Sequence, residues 1–308
     1  MLSLLPRRLC LGLEITSAEV RLAALSGRNG SSSILSLKKA DLQPGQVTSG
    51  YSSLNIQDPE GVARALRSCL EGLSVTGARR AALSLPDGVF RVQTIEFDQL
   101  PGKTVDRERL IRWRLEKGAA FDIKDTLLRY QVLRRQQTGF TVLVSVAKEA
   151  VIGQYEELLT GLGLESWNVG ISAFHALNFY SPYMVKKSAV SAMTHVTDDS
   201  FTTVVAENGE VRFYRFKETK RAGAGELRSR LVREIEDSLH FYTHMDPQQA
   251  PVGRLYLAGD SEALTGLAEE LAEGTALDVE VLSPAAVLLR EPGAGPEMAA
   301  ALGAGGTI

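Results

Sequence analysis

The sequence predicts a mixed α/β protein of two similar halves, the first carrying a small α+β insert. Two observations carry this: strand-like runs and helical patterns interleave from one end to the other, and a three-strand run followed by a long helix occurs twice. Composition agrees. With 308 residues, 44% hydrophobic and 23% charged, the chain can bury roughly two cores and is neither disordered nor fibrous.

The 34 Lys and Arg nearly balance 37 Asp and Glu, and a net charge of −3 gives no bulk attraction to nucleic acid or to an anionic membrane surface. Cys10 and Cys69 lie far apart in apolar surroundings, which suits small buried thiols in a reducing compartment better than a disulfide or a metal cage. No stretch approaches the ~20 apolar residues that span a bilayer, and the basic pair Arg7-Arg8 follows the apolar residues of the N-terminus instead of preceding them. A cytoplasmic protein without direct membrane insertion is expected.

Taken in order, apolar alternation marks strands at 9–15, 20–26 and 33–38, with the turn Gly27-Arg28-Asn29-Gly30 between the last two. Asp58-Pro59 then offers a capping side chain and a first-turn proline. Val62, Ala65, Leu66, Cys69, Leu70 and Leu73 follow as one helical stripe. A strand at 81–85, the turn Pro86-Asp87-Gly88, a strand at 89–97, a charged helix at 106–117 and strands at 127–133 and 141–147 come next. Val151, Ile152, Tyr155, Leu158, Leu159 and Leu162 make a further helix that Gly163 stops.

Residues 86–165 thus read as the insert, between a first half at 1–85 and its return and linker at 166–187, where 181–188 is the best linker. The second half, 188–290, begins again with strands at 189–195, 202–206 and 211–216, an Asn208-Gly209 hairpin turn, and a helix at 226–242. Residues 291–308 form a Gly/Ala/Pro-rich tail with a short helix near 298–302, its Gly305-Gly306 expected to free the chain.

Specific words then narrow the class. Gly12–Leu25, Ala81–Pro86, Leu110–Lys117 with Ala120–Ile123, Tyr130–Leu133, Val144–Lys148, Gly161–Leu164 and Leu255–Gly259 resemble, in order and spacing over nearly the whole chain, the PilM family of type IV pilus assembly. That resemblance implies the actin-like ATPase fold of the cell-division and pilus branch.

In such a fold, phosphates are expected between the halves, on two Asp-x-Gly hairpin loops, with a glycine-rich turn supporting the adenosine. Aspartate orients magnesium and its waters, and glycine lets N–H groups approach phosphate oxygens. This chain departs at each place. The first loop reads Glu14-Ile15-Thr16-Ser17, with a longer carboxylate and a branched Thr16 for the glycine; the second reads His195-Val196-Thr197; the third keeps Gly259 but follows it with Asp260. A shift of three residues would bring Asp198 or Asp199 to the metal-facing place, though the glycines would still be missing. The expectation is a degenerate nucleotide cleft with no catalytic residue, no metal ligand set and no required cofactor. Magnesium-ATP binding is disfavoured.

The resemblance also implies a platform. The N-terminal peptide of a PilN-like inner-membrane protein is expected in a groove between insert and first half, by strand edges and side-chain pockets, with other pilus platform proteins as partners and a homo-oligomer as an option. Arg112, Trp113, Glu116 and Phe121 of the insert are the candidate contacts. The insert's nine Arg and Lys, among them Arg109, Arg114 and Lys117, outnumber its acids Glu108, Glu116, Asp122 and Asp125 over 107–135, so its helix reads either as a docking surface for an acidic partner or as a solvated face. Leu4-Leu5-Pro6-x-Arg8 is similar to the partner's own groove motif, with a frayed start as the plainer reading.

Other chemistry finds little support. His240 and His244 have an i,i+4 spacing that can clasp zinc but lack a further ligand, and no Gly-x-Ser-x-Gly elbow, P-loop or Cys-x-x-Cys pair occurs. The alternatives are a working ATPase that uses Glu14, and the cytoplasmic part of a type II secretion L-type protein. The latter continues into a membrane helix that this sequence lacks.

Overall fold

A computed structural model describes residues 8–28, 31–73, 80–118, 121–136, 139–219, 224–245, 250–288 and 294–306. Met1–Pro6, Asn29-Gly30 and Ala120, which figure in the sequence reading, lie outside the described residues.

The chain opens on a meander of β1 (Arg8–Ile15), β2 (Glu19–Arg28) and β3 (Ser31–Asp41), followed by α1 (Pro59–Leu70). The Asp58 carboxylate caps α1 by accepting from the Gly61 N–H at 3.0 Å, and Val62, Leu66 and Cys69 bury one stripe. β4 (Arg80–Leu85) then joins β1 in parallel. The insert is β5 (Phe90–Phe97), α2 (Thr104–Gly118), β6 (Thr126–Gln136) and β7 (Gly139–Lys148), a small sheet ordered β5-β7-β6 whose core is closed by Ile111 and Leu115 of α2.

After it come α3 (Glu149–Gly161), β8 (Glu165–Ile171) and α4 (Ser172–Lys187). α3 ends as expected at Gly163: its N–H reaches the Thr160 carbonyl, and the Leu164 N–H reaches that of Leu159. The second half repeats the scheme with β9 (Val190–Val196), β10 (Ser200–Glu207), β11 (Glu210–Glu218) and α5 (Ala224–Met245). Asn208 and Gly209 both adopt positive φ between β10 and β11, the two-residue turn their sequence specifies. β12 (Arg254–Gly259), α6 (Ser261–Leu264), α7 (Leu267–Thr275), β13 (Asp278–Val281) and α8 (Ala299–Gly306) complete the chain.

The two large sheets have one topology, β3-β2-β1-β4-β8 and β11-β10-β9-β12-β13. Alternation along the strands sorts the layers. Leu11, Leu13 and Ile15 of β1 pack with α1 and α3, whereas Leu255 and Leu257 of β12 pack with α5 and α7. The inner faces enclose α4 and α8, which join Met193, Tyr256 and Ala258 from the second sheet and Ala23 and Leu25 from the first.

Two expectations fail here. The 181–188 linker is the end of α4, with Pro182 inside the helix: Leu177, Tyr180 and Met184 are buried between the sheets, and that burial outweighs the lost N–H. Nor do Gly305-Gly306 free the chain. They end α8, whose residues Ala299–Gly305 are all buried. A Cβ on Gly12 would lie 1.9 Å from the Ala301 carbonyl oxygen, so only bare backbone lets α8 sit this close to β1.

Candidate functional site

Both halves aim a hairpin at the space between them. Each turn opens on threonine, and its N–H closes the loop, Thr16 to the Glu19 carbonyl at 3.0 Å and Thr197 to that of Ser200 at 2.9 Å. The Thr16 hydroxyl accepts from the Ala18 and Glu19 N–H groups at 3.1 and 3.0 Å, and the Thr197 hydroxyl lies 2.9 Å from that of Ser200. The Thr16 side chain occupies the inside of its turn and saturates N–H groups that would otherwise point to an anion, whereas the Thr197 hydroxyl donates to the Ser200 carbonyl at 3.1 Å. No residue of either loop has positive φ, so neither hairpin needs a glycine. The tips meet: Ser17 Oγ donates to the Asp198 carboxylate and lies 3.2 Å from Asp199 Oδ2.

Hairpin register fixes what stands behind the tips. Glu14 pairs with Arg21, and His195, at the same place in the second hairpin, pairs with Thr202. Arg21, 3% exposed, donates from Nη1 to Glu14 Oε2 at 2.8 Å and from Nη2 to Glu19 Oε1 at 2.6 Å. Burial alone would lower its pKa; Glu14 and Glu19 outweigh that and raise it. The fully buried Glu14 is therefore engaged by an internal cation, and its Oε1 has no hydrogen-bond partner among the described residues. His195 is also buried, with Nε2 unpartnered among the described residues, and desolvation pulls its pKa down to about 4 against the opposing pull of Asp87, so it is neutral at pH 7.

Asp87 is the polar residue that sequence reading left in a turn. It accepts from the Tyr214 hydroxyl at 2.9 Å and the Ala173 N–H at 3.2 Å, with Thr202 also bonded. Burial pushes its carboxyl up despite these donors and His195. At the third loop, Gly259 has φ +114 and a Cβ there would lie 1.9 Å from the Val196 carbonyl oxygen, so β12's contact with β9 by itself requires glycine. Asp260 caps α6 through the Glu262 N–H at 2.9 Å.

Beside the hairpins lies a cavity of about 310 Å3 onto which six carboxylates open, Glu19, Asp41, Asp198, Asp260, Glu262 and Glu297. Its two cations are already bridged, Arg21 as above and Lys39 to Glu19 and Glu297 at 3.7 and 3.6 Å. Polyphosphate entering here would meet uncompensated negative charge. Among the described residues no group of three or more His, Cys, Asp or Glu could hold a metal ion; His240 and His244 stack on each other, centroids 4.0 Å apart.

A second concavity, about 500 Å3, runs between insert and first half. It is walled by Leu127 and Arg129 of β6, Ser145 of β7 and residues 166–171 of β8, with Ile152 and Glu156 of α3 and Phe174 and His175 of α4 below. β6 and β8 are each the outermost strand of their sheet. His175 is buried with Nδ1 unpartnered among the described residues, its pKa lowered to about 4 by desolvation.

The structure thus brings Glu14, Thr16, Ser17, His195, Thr197, Gly259 and Asp260 to one region. The four insert residues are dispersed. Arg112 donates to the Thr126 carbonyl at 2.8 Å, Phe121 packs edge-on against Tyr51, and Trp113 and Glu116 face solvent; none of the four lines the groove. Sequence reading missed Arg21, Asp87 and the groove walls.

No family model and no curated protein sequence matches the chain. Among solved structures, a chain of the PilM-PilN type IV pilus biogenesis complex aligns over 97% of this chain and 98% of its own, with TM-score 0.82 and 22% identity. A Bacteroides thetaiotaomicron protein with an actin-like ATPase fold gives 0.53 at 13% identity, covering 92% and 97%. The cytoplasmic domain of EpsL, an inner membrane component of the type II secretion system of Vibrio cholerae, gives 0.51 at 11% identity, covering 96% and 94%. At these identities the likeness speaks for architecture, and with the duplicated five-stranded sheets it establishes that this chain has the actin-like ATPase fold, in an arrangement shared nearly end to end with the PilM-PilN structure.

Proposed function

We propose that the chain is a PilM-like scaffold of a type IV pilus inner-membrane platform, cytoplasmic and held at the membrane through a PilN-like partner, whose N-terminal segment it receives in the groove between insert and first half. The observation that carries this is the groove itself: an extended segment can bond to the free backbone of β6 or β8 while alternate side chains enter apolar and polar pockets. The whole-length likeness to a chain of a PilM-PilN complex supports the same reading.

The hairpin cleft acts as a closed joint in this scheme and turns over no ATP. Its first turn is self-saturated, its buried carboxylate is paired to Arg21, and its cavity carries the wrong charge for polyphosphate. Two measurements test the scheme. A labelled peptide from the partner's N-terminus should bind the full chain and lose at least tenfold in affinity on Ser145→Arg, which blocks the groove; undiminished binding would sink the assignment. Magnesium-ATP should leave Tm unchanged, since a ligand of the native state raises stability with its affinity. A clear rise accompanied by phosphate release would restore the ATPase.

A further inference from the structure

The small sheet has a second edge, away from the groove. Among the described residues β5 pairs only with β7, which leaves one side of its backbone without a strand partner there. Beside that strand the C-terminal part of α2 leaves a cavity of about 380 Å3, walled by Gln93 and Ile95 of β5 and by Arg114, Lys117 and Gly118 of α2. The cations of α2 differ in what they do. Arg107 donates to the carbonyls of Pro101 and Gly102, Arg109 pairs with Asp106 at 3.5 Å, and Arg112 is bonded to Thr126. Arg114 and Lys117 are exposed and, among the described residues, have no anionic partner. Lys117 Nζ lies 4.3 Å over the ring of Trp113, itself 47% exposed.

These features sit together and have one complement. A strand laid on β5 would turn every second side chain toward the α2 side of the sheet, the side of Gln93 and Ile95, within the reach of Arg114 and Lys117. Glu96 falls on the opposite face by the same alternation, so no carboxylate of β5 opposes an anion there. A phosphodiester chain or a lipid headgroup could use the two cations but not the backbone ladder. Only a peptide uses both.

We propose that the β5 edge with Arg114 and Lys117 is a docking site for an extended acidic segment of a partner protein, with carboxylates at alternate positions, separate from the groove along β6 and β8. Trp113 stands beside it only through the Lys117 ammonium over its ring. The interaction is charge-assisted and falls with ionic strength, because the cations are exposed and the Debye length is about 10 Å at 0.1 M salt.

The test uses the full chain and a fluorescently labelled decapeptide of alternating Glu and Val, read by anisotropy at low salt. The Glu-Val peptide should bind, a Lys-Val peptide should not, and Arg114→Glu with Lys117→Glu should weaken binding at least tenfold without changing Tm. Amide exchange should slow in 91–96 on binding, with β8 unchanged. Absence of binding at 1 mM peptide, equal binding by the double variant, or protection in β8 instead of β5 would each overturn the proposal. So would retention of anionic phosphatidylserine vesicles or single-stranded RNA where the Glu-Val peptide fails. Ser145→Arg, which blocks the other groove, should leave this binding intact, so failure of one site is distinguishable from failure of the other.

Discussion

Ser17 has one hydroxyl hydrogen and two carboxylates in range, Asp198 and Asp199. Two adjacent carboxylates cannot both be satisfied by it, and the Asp198 carboxyl is pushed up, first by desolvation against the facing hairpin and then by the Asp199 charge, with Arg21 opposing. A raised carboxyl binds its proton more tightly in the folded chain than in the unfolded one. Repulsion is therefore relieved, and stability from this source grows, as pH falls through the raised value toward the ordinary one; it is lost as pH rises. Asp198→Asn should then be more stable than the parent at pH 8, by about 0.5 kcal/mol, and lose that advantage near pH 4. Thermal unfolding across that range checks it, and a less stable variant at pH 8 would mean that the Ser17 bond outweighs the repulsion. The residues at the hairpins were legible from the sequence because their loops could be counted. Arg21 was legible in principle: once Ser17-Ala18 is a two-residue loop, register alone sets residue 21 opposite residue 14. Asp87 had no such signal, because its partners Tyr214 and Thr202 come from more than a hundred residues away.

The elements read best where a period and a stop signal coincide, as in the Asp58-capped α1, the Gly163 end of α3 and the Asn208-Gly209 turn. α8 had neither. It is buried along nearly its whole length, so its Ala and Gly show no stripe, and a composition that usually marks loose chain here marks a close approach of helix to sheet. A matched pair of substitutions measures that packing. Gly303→Ala puts a Cβ 2.0 Å from the His175 carbonyl oxygen and should destabilise by about 1–3 kcal/mol in urea unfolding. Gly306→Ala meets nothing within 4 Å and should be neutral or slightly stabilising. Equal effects would mean that helix propensity, not close approach, governs the site. α4 was missed for the complementary reason: Ser181-Pro182 is a local breaker signal that tertiary burial overrides.

At the scale of the molecule, the halves are joined by their inner helices and by Asp87, which leaves the first sheet after β4 and bonds to the second sheet through Tyr214 and Thr202. Tyr214→Phe removes one donor from that buried carboxylate and should cost about 1–2 kcal/mol by urea denaturation. An unchanged midpoint would show that Thr202 and the Ala173 N–H suffice. The contact between Gly12 and Ala301 couples nearly opposite ends of the described chain, and it has a bearing on biogenesis. On the ribosome, the part of the first sheet's inner face that α8 covers stays open until residues 299–306 emerge, about 15–60 s after β1 at typical elongation rates. Through that interval the nascent chain carries an apolar surface that its own later residues cannot yet shield.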